Sequence, residues 1–148
     1  MLQNSFNHEQ NEYHELMIIT QAILDKLTEA AKDSPRLRMN MDLRDSEEDT
    51  SQRMLNAIEP GSPLPIHRHP KTSETVVCLR GRLVEEYYDE QERICTEVIE
   101  LSPNGPVAAL NIPAGQWHTV RALESGTVIL EIKNGTYEPI SDTDILQL

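Results

Sequence analysis

GSPLPIHRHPKTSETVVCLRG, residues 61–81, is the stretch whose reading decides the fold. It contains two of the five histidines, as His67-Arg68-His69, between a Pro-rich approach and the apolar run Thr75–Leu79. Along an extended strand successive side chains alternate faces, so residues i and i+2 project together. Two imidazoles therefore share one face. Glu74 stands at the head of the apolar run, far enough from His69 for the chain to turn and return a carboxylate. His118 comes much later, after the turn Pro113-Ala114-Gly115 and at the start of another apolar strand. Three imidazole nitrogens and one carboxylate suit a divalent transition metal: zinc, iron, manganese, nickel or copper. The candidate metal ligands are thus His67, His69, Glu74 and His118.

Working outward, short apolar runs alternate with turn signals over the rest of the chain after Pro35. The expected strands are Gln52–Ile58, Thr75–Leu79, Arg82–Tyr88, Arg93–Leu101, Val107–Ile112, His118–Leu123 and Thr127–Lys133. Their separators include Glu59-Pro60-Gly61, Pro103-Asn104-Gly105-Pro106, Glu124-Ser125-Gly126 and Asn134-Gly135. Short strands at roughly ten-residue spacing, with no interleaved helix, predict a mainly β sandwich or barrel. Before it, Ile19, Ile23, Leu27 and Ala30 recur at helical spacing, with Thr20 a candidate N-cap and Asp33-Ser34-Pro35 a stop. The expected organisation is a polar segment over residues 1–15, a helix within 16–35 packed outside the barrel, and the barrel over 36–148.

Composition narrows the function. Asp and Glu number 25 against 13 Lys and Arg, a net charge of −12, which opposes non-specific nucleic-acid binding. No stretch reads as a signal peptide or as a run of about 18 apolar residues, so a cytoplasmic protein without a membrane span is expected. Cys78 and Cys95 have no CxxC spacing, and both are expected as buried free thiols.

The framework Gly61-(x5)-His67-x-His69-(x4)-Glu74-(x6)-Gly81 resembles, residue for residue, the first motif of the cupin superfamily. Pro113-x-Gly115-x2-His118 resembles the core of the second cupin motif. That motif usually opens with a glycine where Val107 stands and ends with an asparagine where Ala122 stands; the nearest glycine is Gly105. A closer resemblance runs through Ser34–Asn40, Gln52–Ala57, His67–His69, Trp117–Val120 and Glu131–Tyr137, which are similar to the WbuC family of cupin-fold metalloproteins. It implies a single jelly-roll (double-stranded β-helix) barrel with an N-terminal helix, a bacterial source, and genes among those for surface polysaccharide synthesis. The reaction it leaves open.

Strand parity supplies candidates for ligand binding. In Gln52–Ile58 the residues Gln52, Asn56 and Ile58 share one face, and Arg53, Leu55 and Ala57 the other. If the first set faces inward, Gln52 and Asn56 orient a ligand; if the second does, Arg53 clamps a carboxylate or phosphate. Arg53 pairing with acidic neighbours is the plain alternative. Trp117 is expected to pack near the rim, and only one of Tyr87 and Tyr88 can line the pocket. The sequence supports a metal-dependent enzyme acting on a small polar molecule such as a sugar or sugar nucleotide, by isomerisation, epimerisation or oxygen-dependent cleavage. A non-catalytic ligand-binding or sensor module is its rival. Exposed sheet edges and the precedent of small cupins predict a homodimer.

Overall fold

The structure is a computed structural model and describes residues 16–148. The polar segment over residues 1–15 lies outside the described residues. Helix α1 (Gln21–Asp33) is followed by ten strands: β1 (Arg38–Asp42), β2 (Ser51–Ile58), β3 (Ile66–His67), β4 (Glu74–Arg80), β5 (Leu83–Tyr88), β6 (Cys95–Leu101), β7 (Ala109–Ile112), β8 (Trp117–Ala122), β9 (Thr127–Asn134) and β10 (Ile145–Leu146). They form two five-stranded antiparallel sheets in the orders β1-β2-β9-β4-β7 and β10-β3-β8-β5-β6. The expected mainly β jelly roll with an N-terminal helix is what the described residues form. Two strands lie outside the expected set, β1 and the two-residue β10, while the extended stretch expected at His67-Arg68-His69 is regular strand only as β3.

Thr20 sets where α1 begins. Its backbone is extended, and its hydroxyl accepts from the Ile23 amide at 3.2 Å, satisfying one of the helix's orphan donors. The helix therefore starts at Gln21, and Leu16 and Ile18, ahead of the cap, are exposed. The buried stripe is Leu24, Leu27, Thr28 and Ala31, the i, i+3, i+4, i+7 pattern of one helix face. It packs on Met39 and Met41 of β1, Leu55 and Ala57 of β2 and Val128 of β9. Full burial of Leu27 alone contributes about 1.5–3 kcal/mol.

That contact fixes strand parity. Because Leu55 and Ala57 face α1, the alternate set Gln52, Asn56 and Ile58 faces the barrel interior, where Ile58 joins Val76, Cys78, Leu83, Leu101, Ile112, Ala122 and Ile129 in an apolar core. Ala122, one departure from the cupin motif, sits in this apolar layer, away from the metal-ligand candidates. Cys78 is buried as expected, whereas Cys95, at the start of β6, is exposed. Two glycines are required by geometry. Gly81 has φ +80°, and a Cβ there would lie 2.6 Å from the Thr127 Cα. Gly115 has φ +82°, and its amide donates to the His69 carbonyl at 2.8 Å, tying the β7–β8 turn to the histidine segment. Among the described residues no helix is long and apolar enough to cross a membrane.

Candidate metal centre

Register brings the four candidate ligands together at one end of the barrel. His67 of β3 pairs with His118 of β8, and Glu74 begins β4 in the facing sheet. Only Ile66–His67 is regular strand, and His69 lies in the loop beyond. Its carbonyl is nonetheless held by Gly115, so its ring joins the cluster. One ligand atom from each of His67, His69, Glu74 and His118 lies within 4.8 Å of all the others. Glu74 Oε2 is 3.1 Å from His69 Nε2 and 3.5 Å from His118 Nε2.

The tautomers favour a cation. His67 Nδ1 lies 3.0 Å from the Pro65 carbonyl and His118 Nδ1 2.9 Å from the Gln116 carbonyl. In the neutral ring a proton on Nδ1 serves that carbonyl and leaves Nε2 as a bare lone pair, the arrangement found in metal-ligating histidines. Burial and the neighbouring His118 push the His67 imidazole down to about 4, so it is neutral at pH 7. Burial alone would raise Glu74, yet its contacts with His118 and His69, helped by the Lys133 charge, hold its carboxyl well below the usual range. A divalent cation among these groups would hold the carboxylate in the same way. The donor set fits a divalent metal.

Arg68, between the two histidines, faces the other way. Its guanidinium lies 4.6 Å over the Trp117 ring, and its Nε donates to Asp144 at 2.9 Å. This clamp, with Ile145 paired to His67, fixes the segment that carries both imidazoles. Trp117 is buried, as a packing residue would be. Of the two tyrosines, Tyr87 lies opposite His118 and packs on the interior core, while the Tyr88 hydroxyl donates to Glu86 at 2.8 Å.

The candidate ligand-binding residues divide. Asn56 is buried in the interior and bonds Glu131. Gln52 sits opposite Lys133 at the same end, and its amide donates to the Gly135 carbonyl at 2.8 Å. Arg53 is on the α1 side of the sheet, where its guanidinium bonds the Ser51 and Leu43 carbonyls and Asp49. The acidic loop takes up that side chain. A cavity of about 210 Å³ opens beside His69, lined by Gln52, Lys71, Lys133 and Asp144 among others.

Sequence reasoning missed two interior carboxyls. Glu85, 2 % exposed, follows the apolar phase of Leu83 and Tyr87, and Glu131 follows that of Ile129. An acidic residue on the inward phase of a strand is a readable signal. Burial, and then the charges of Glu74 and Glu131, raise the Glu85 carboxyl well above its ordinary value. Burial and Glu74 push Glu131 up to about 8.

Known structures share this architecture. A cupin 2 domain-containing protein from Halorhodospira halophila is 18% identical, with 70% of this chain and 68% of that one covered and a TM-score of 0.55. Oxalate oxidase in complex with the substrate analogue glycolate is 16% identical, covering 73% and 56%, with a TM-score of 0.58. The capsular polysaccharide assembling protein CapF of Staphylococcus aureus is 21% identical, covering 74% of this chain but 29% of its own length, with a TM-score of 0.56. At these identities the likeness carries the fold. No curated protein matches the sequence. A family model described as Domain of unknown function (DUF6016) matches residues 19–100, which include His67, His69 and Glu74. Since that match spans more than half of the 148 residues, the chain, a cupin by fold, belongs to the DUF6016 family.

Proposed function

We propose that the protein is a metal-dependent enzyme of the WbuC type, acting on a small polar molecule such as a sugar or sugar nucleotide in bacterial surface polysaccharide synthesis. The observation that carries the reading is the convergence of His67, His69, Glu74 and His118 within 4.8 Å, with two Nδ1 atoms anchored on carbonyls. The WbuC-like segments support the setting, and CapF offers a neighbour of the same fold whose name concerns capsular polysaccharide.

A metal held there would supply Lewis-acid polarisation of a carbonyl or hydroxyl. The chain's own residues do the rest. The Pro65 and Gln116 carbonyls orient His67 and His118. Lys133 opposes part of the negative charge of Glu74 and Glu131. Glu131, raised to about 8, sits in the range where a carboxyl both gives and takes a proton near neutrality, which suits isomerisation or epimerisation. Oxygen-dependent cleavage is the competing chemistry within the same reading.

The test is metal analysis of untagged protein purified without chelators, followed by oxygen-uptake measurements and solvent-deuterium exchange into sugars. One metal per chain with deuterium incorporation is expected. Absence of bound metal under every loading condition overturns the enzyme reading, and metal with neither activity assigns the chain to ligand binding or sensing.

A further inference from the structure

Two of the chain's four lysines, Lys71 and Lys133, line the cavity beside His69. Lys133 continues the inward phase of β9 after Ile129 and Glu131, so strand parity directs its side chain to the barrel mouth. There it stands between its register partners, Gln52 of β2 and Glu74 of β4. Lys71 follows His69 in the loop between β3 and β4. Neither ammonium makes a hydrogen bond or ion pair with another described residue. Lys133 feels the charges of Glu74 and Glu131 without pairing with either.

The walls that carry these lysines are fixed. Gln52 Nε2 donates to the Gly135 carbonyl at 2.8 Å, and the Gly135 amide donates to the Thr50 carbonyl at 2.7 Å, which holds the end of β9. Of the carboxylates that line the cavity, Asp144 is engaged by Arg68 at 2.9 Å, and Glu138 is exposed to water. Two unpaired ammoniums therefore face one hydrated carboxylate, a local positive balance in a chain of net charge −12. Thr72 and Thr136 add hydroxyls to the same walls. An ammonium offers three donors and no acceptor, and its stronger hydrogen bonds are those to ionised oxygen. A neutral ligand leaves both charges unanswered. An oxyanion answers both. The cavity, about 210 Å³, is below the roughly 300–1,000 Å³ typical of drug-sized ligands, so the group it encloses is compact. Because His69 lines the same cavity, a molecule anchored on the lysines also reaches the metal cluster.

We propose that Lys71 and Lys133 bind an oxyanion of the substrate, a phosphate or a carboxylate, and so present the rest of the molecule to His67, His69, Glu74 and His118. This rests on the metal-dependent enzyme reading and narrows its substrate to a compact sugar that carries negative charge.

The experiment is an NMR titration of the full chain, freed of metal by chelator, with inorganic phosphate and with acetate. These probes carry the two oxyanions without a sugar, and chelation removes the direct coordination of phosphate to a metal. Metal loading is followed separately by elemental analysis, so failure of the metal site and failure of the anion site are read apart. Millimolar phosphate or acetate should shift the resonances of Lys71, Thr72, Lys133 and Thr136, and added sodium chloride should weaken the effect. Lys71→Gln and Lys133→Gln should each weaken binding at least roughly fivefold. Lys26→Gln, which removes the same charge from the exposed face of α1, should leave it unchanged. Glucose, glucose 6-phosphate and glucuronate then separate the two sources, the tighter charged form naming the oxyanion. The proposal is overturned if neither anion shifts those resonances, if glucose binds more tightly than both charged forms, or if Lys71→Gln and Lys133→Gln bind as the native chain does. If Lys133→Gln does not fold, Lys133→Met is read by the same criterion.

Discussion

His67 and His118 are register partners on adjacent strands, their rings 4.4 Å apart, and each lies with Nδ1 against the carbonyl two residues before it. The same local device on two strands sets both Nε2 lone pairs for one cation. With His69 and Glu74 it gives a site whose occupation should be measurable as stability.

Metal loading is expected to raise the folding free energy by about 2.7 kcal/mol at a free metal concentration one hundred times the dissociation constant. Calorimetry with and without chelator should show that gain in the native chain. His118→Ala and the His67→Ala/His69→Ala pair should lose it, along with the metal measured by elemental analysis.

The chelator-treated protein should be most stable in mildly acidic solution, between about pH 4.5 and 6.5. His67, at about 4 when folded against 6.5 ordinarily, is neutral in the folded chain and protonated in the unfolded one between those values. Stability therefore falls as pH drops from 6.5 towards 4. Glu131, at about 8 against 4.5, keeps its proton only in the folded chain between those values. Stability therefore also falls as pH rises from 4.5 to 8. Each slope amounts to roughly 1–3 kcal/mol after allowing for solvent relaxation. Denaturant titrations across pH should show the alkaline slope flattened by Glu131→Gln and the acid slope steepened between pH 4.5 and 6.5, where the two oppose each other in the native chain.

Gly81→Ala is expected to cost about 2–4 kcal/mol. It combines a left-handed backbone with a methyl driven against Thr127. A shift of the urea midpoint without a change of slope would check it. Gly126→Ala, at φ +85° with open space around it, should cost less, through backbone strain alone.

For α1, Leu27→Ala should cost about 2–5 kcal/mol and Thr20→Ala about 1 kcal/mol, both read by thermal unfolding.

Much of this was legible because the chemistry is local. Alternation of apolar and polar residues marks β2, β4, β5, β8 and β9 to within a residue or two, and the motif spacing groups His67, His69, Glu74 and His118. Less legible was whatever depends on partners distant in sequence. Strand β1 is absent from the expected strands because its Met39 and Met41 acquire an apolar role only against α1. Ile19 fits the helical period yet lies outside α1, because Thr20, the candidate N-cap, opens the helix at Gln21. Whether Asn56 or Arg53 faces inward was undecidable until Leu55 and Ala57 were seen against the helix. Glu85 and Glu131 were passed over because an acidic residue in a strand is usually on its solvent face.

A homodimer is proposed on the same physical grounds as before, and Val98 and Ile132, exposed on strands of the two sheets, offer apolar area to a second copy. Light scattering at micromolar concentration and moderate salt should give about twice 16.8 kDa. A mass near 16.8 kDa would overturn it.

The pairing of Ile145 with His67, and the bond from Arg68 to Asp144 across 76 residues, bear on when the metal centre comes into being. Contacts of such separation form late, because the intervening loop must close before they yield anything. On a ribosome, the histidine segment emerges long before β10 exists to hold it. The centre is therefore expected to mature only after synthesis of β10, so that metal is captured by a finished barrel rather than serving as the nucleus around which one condenses.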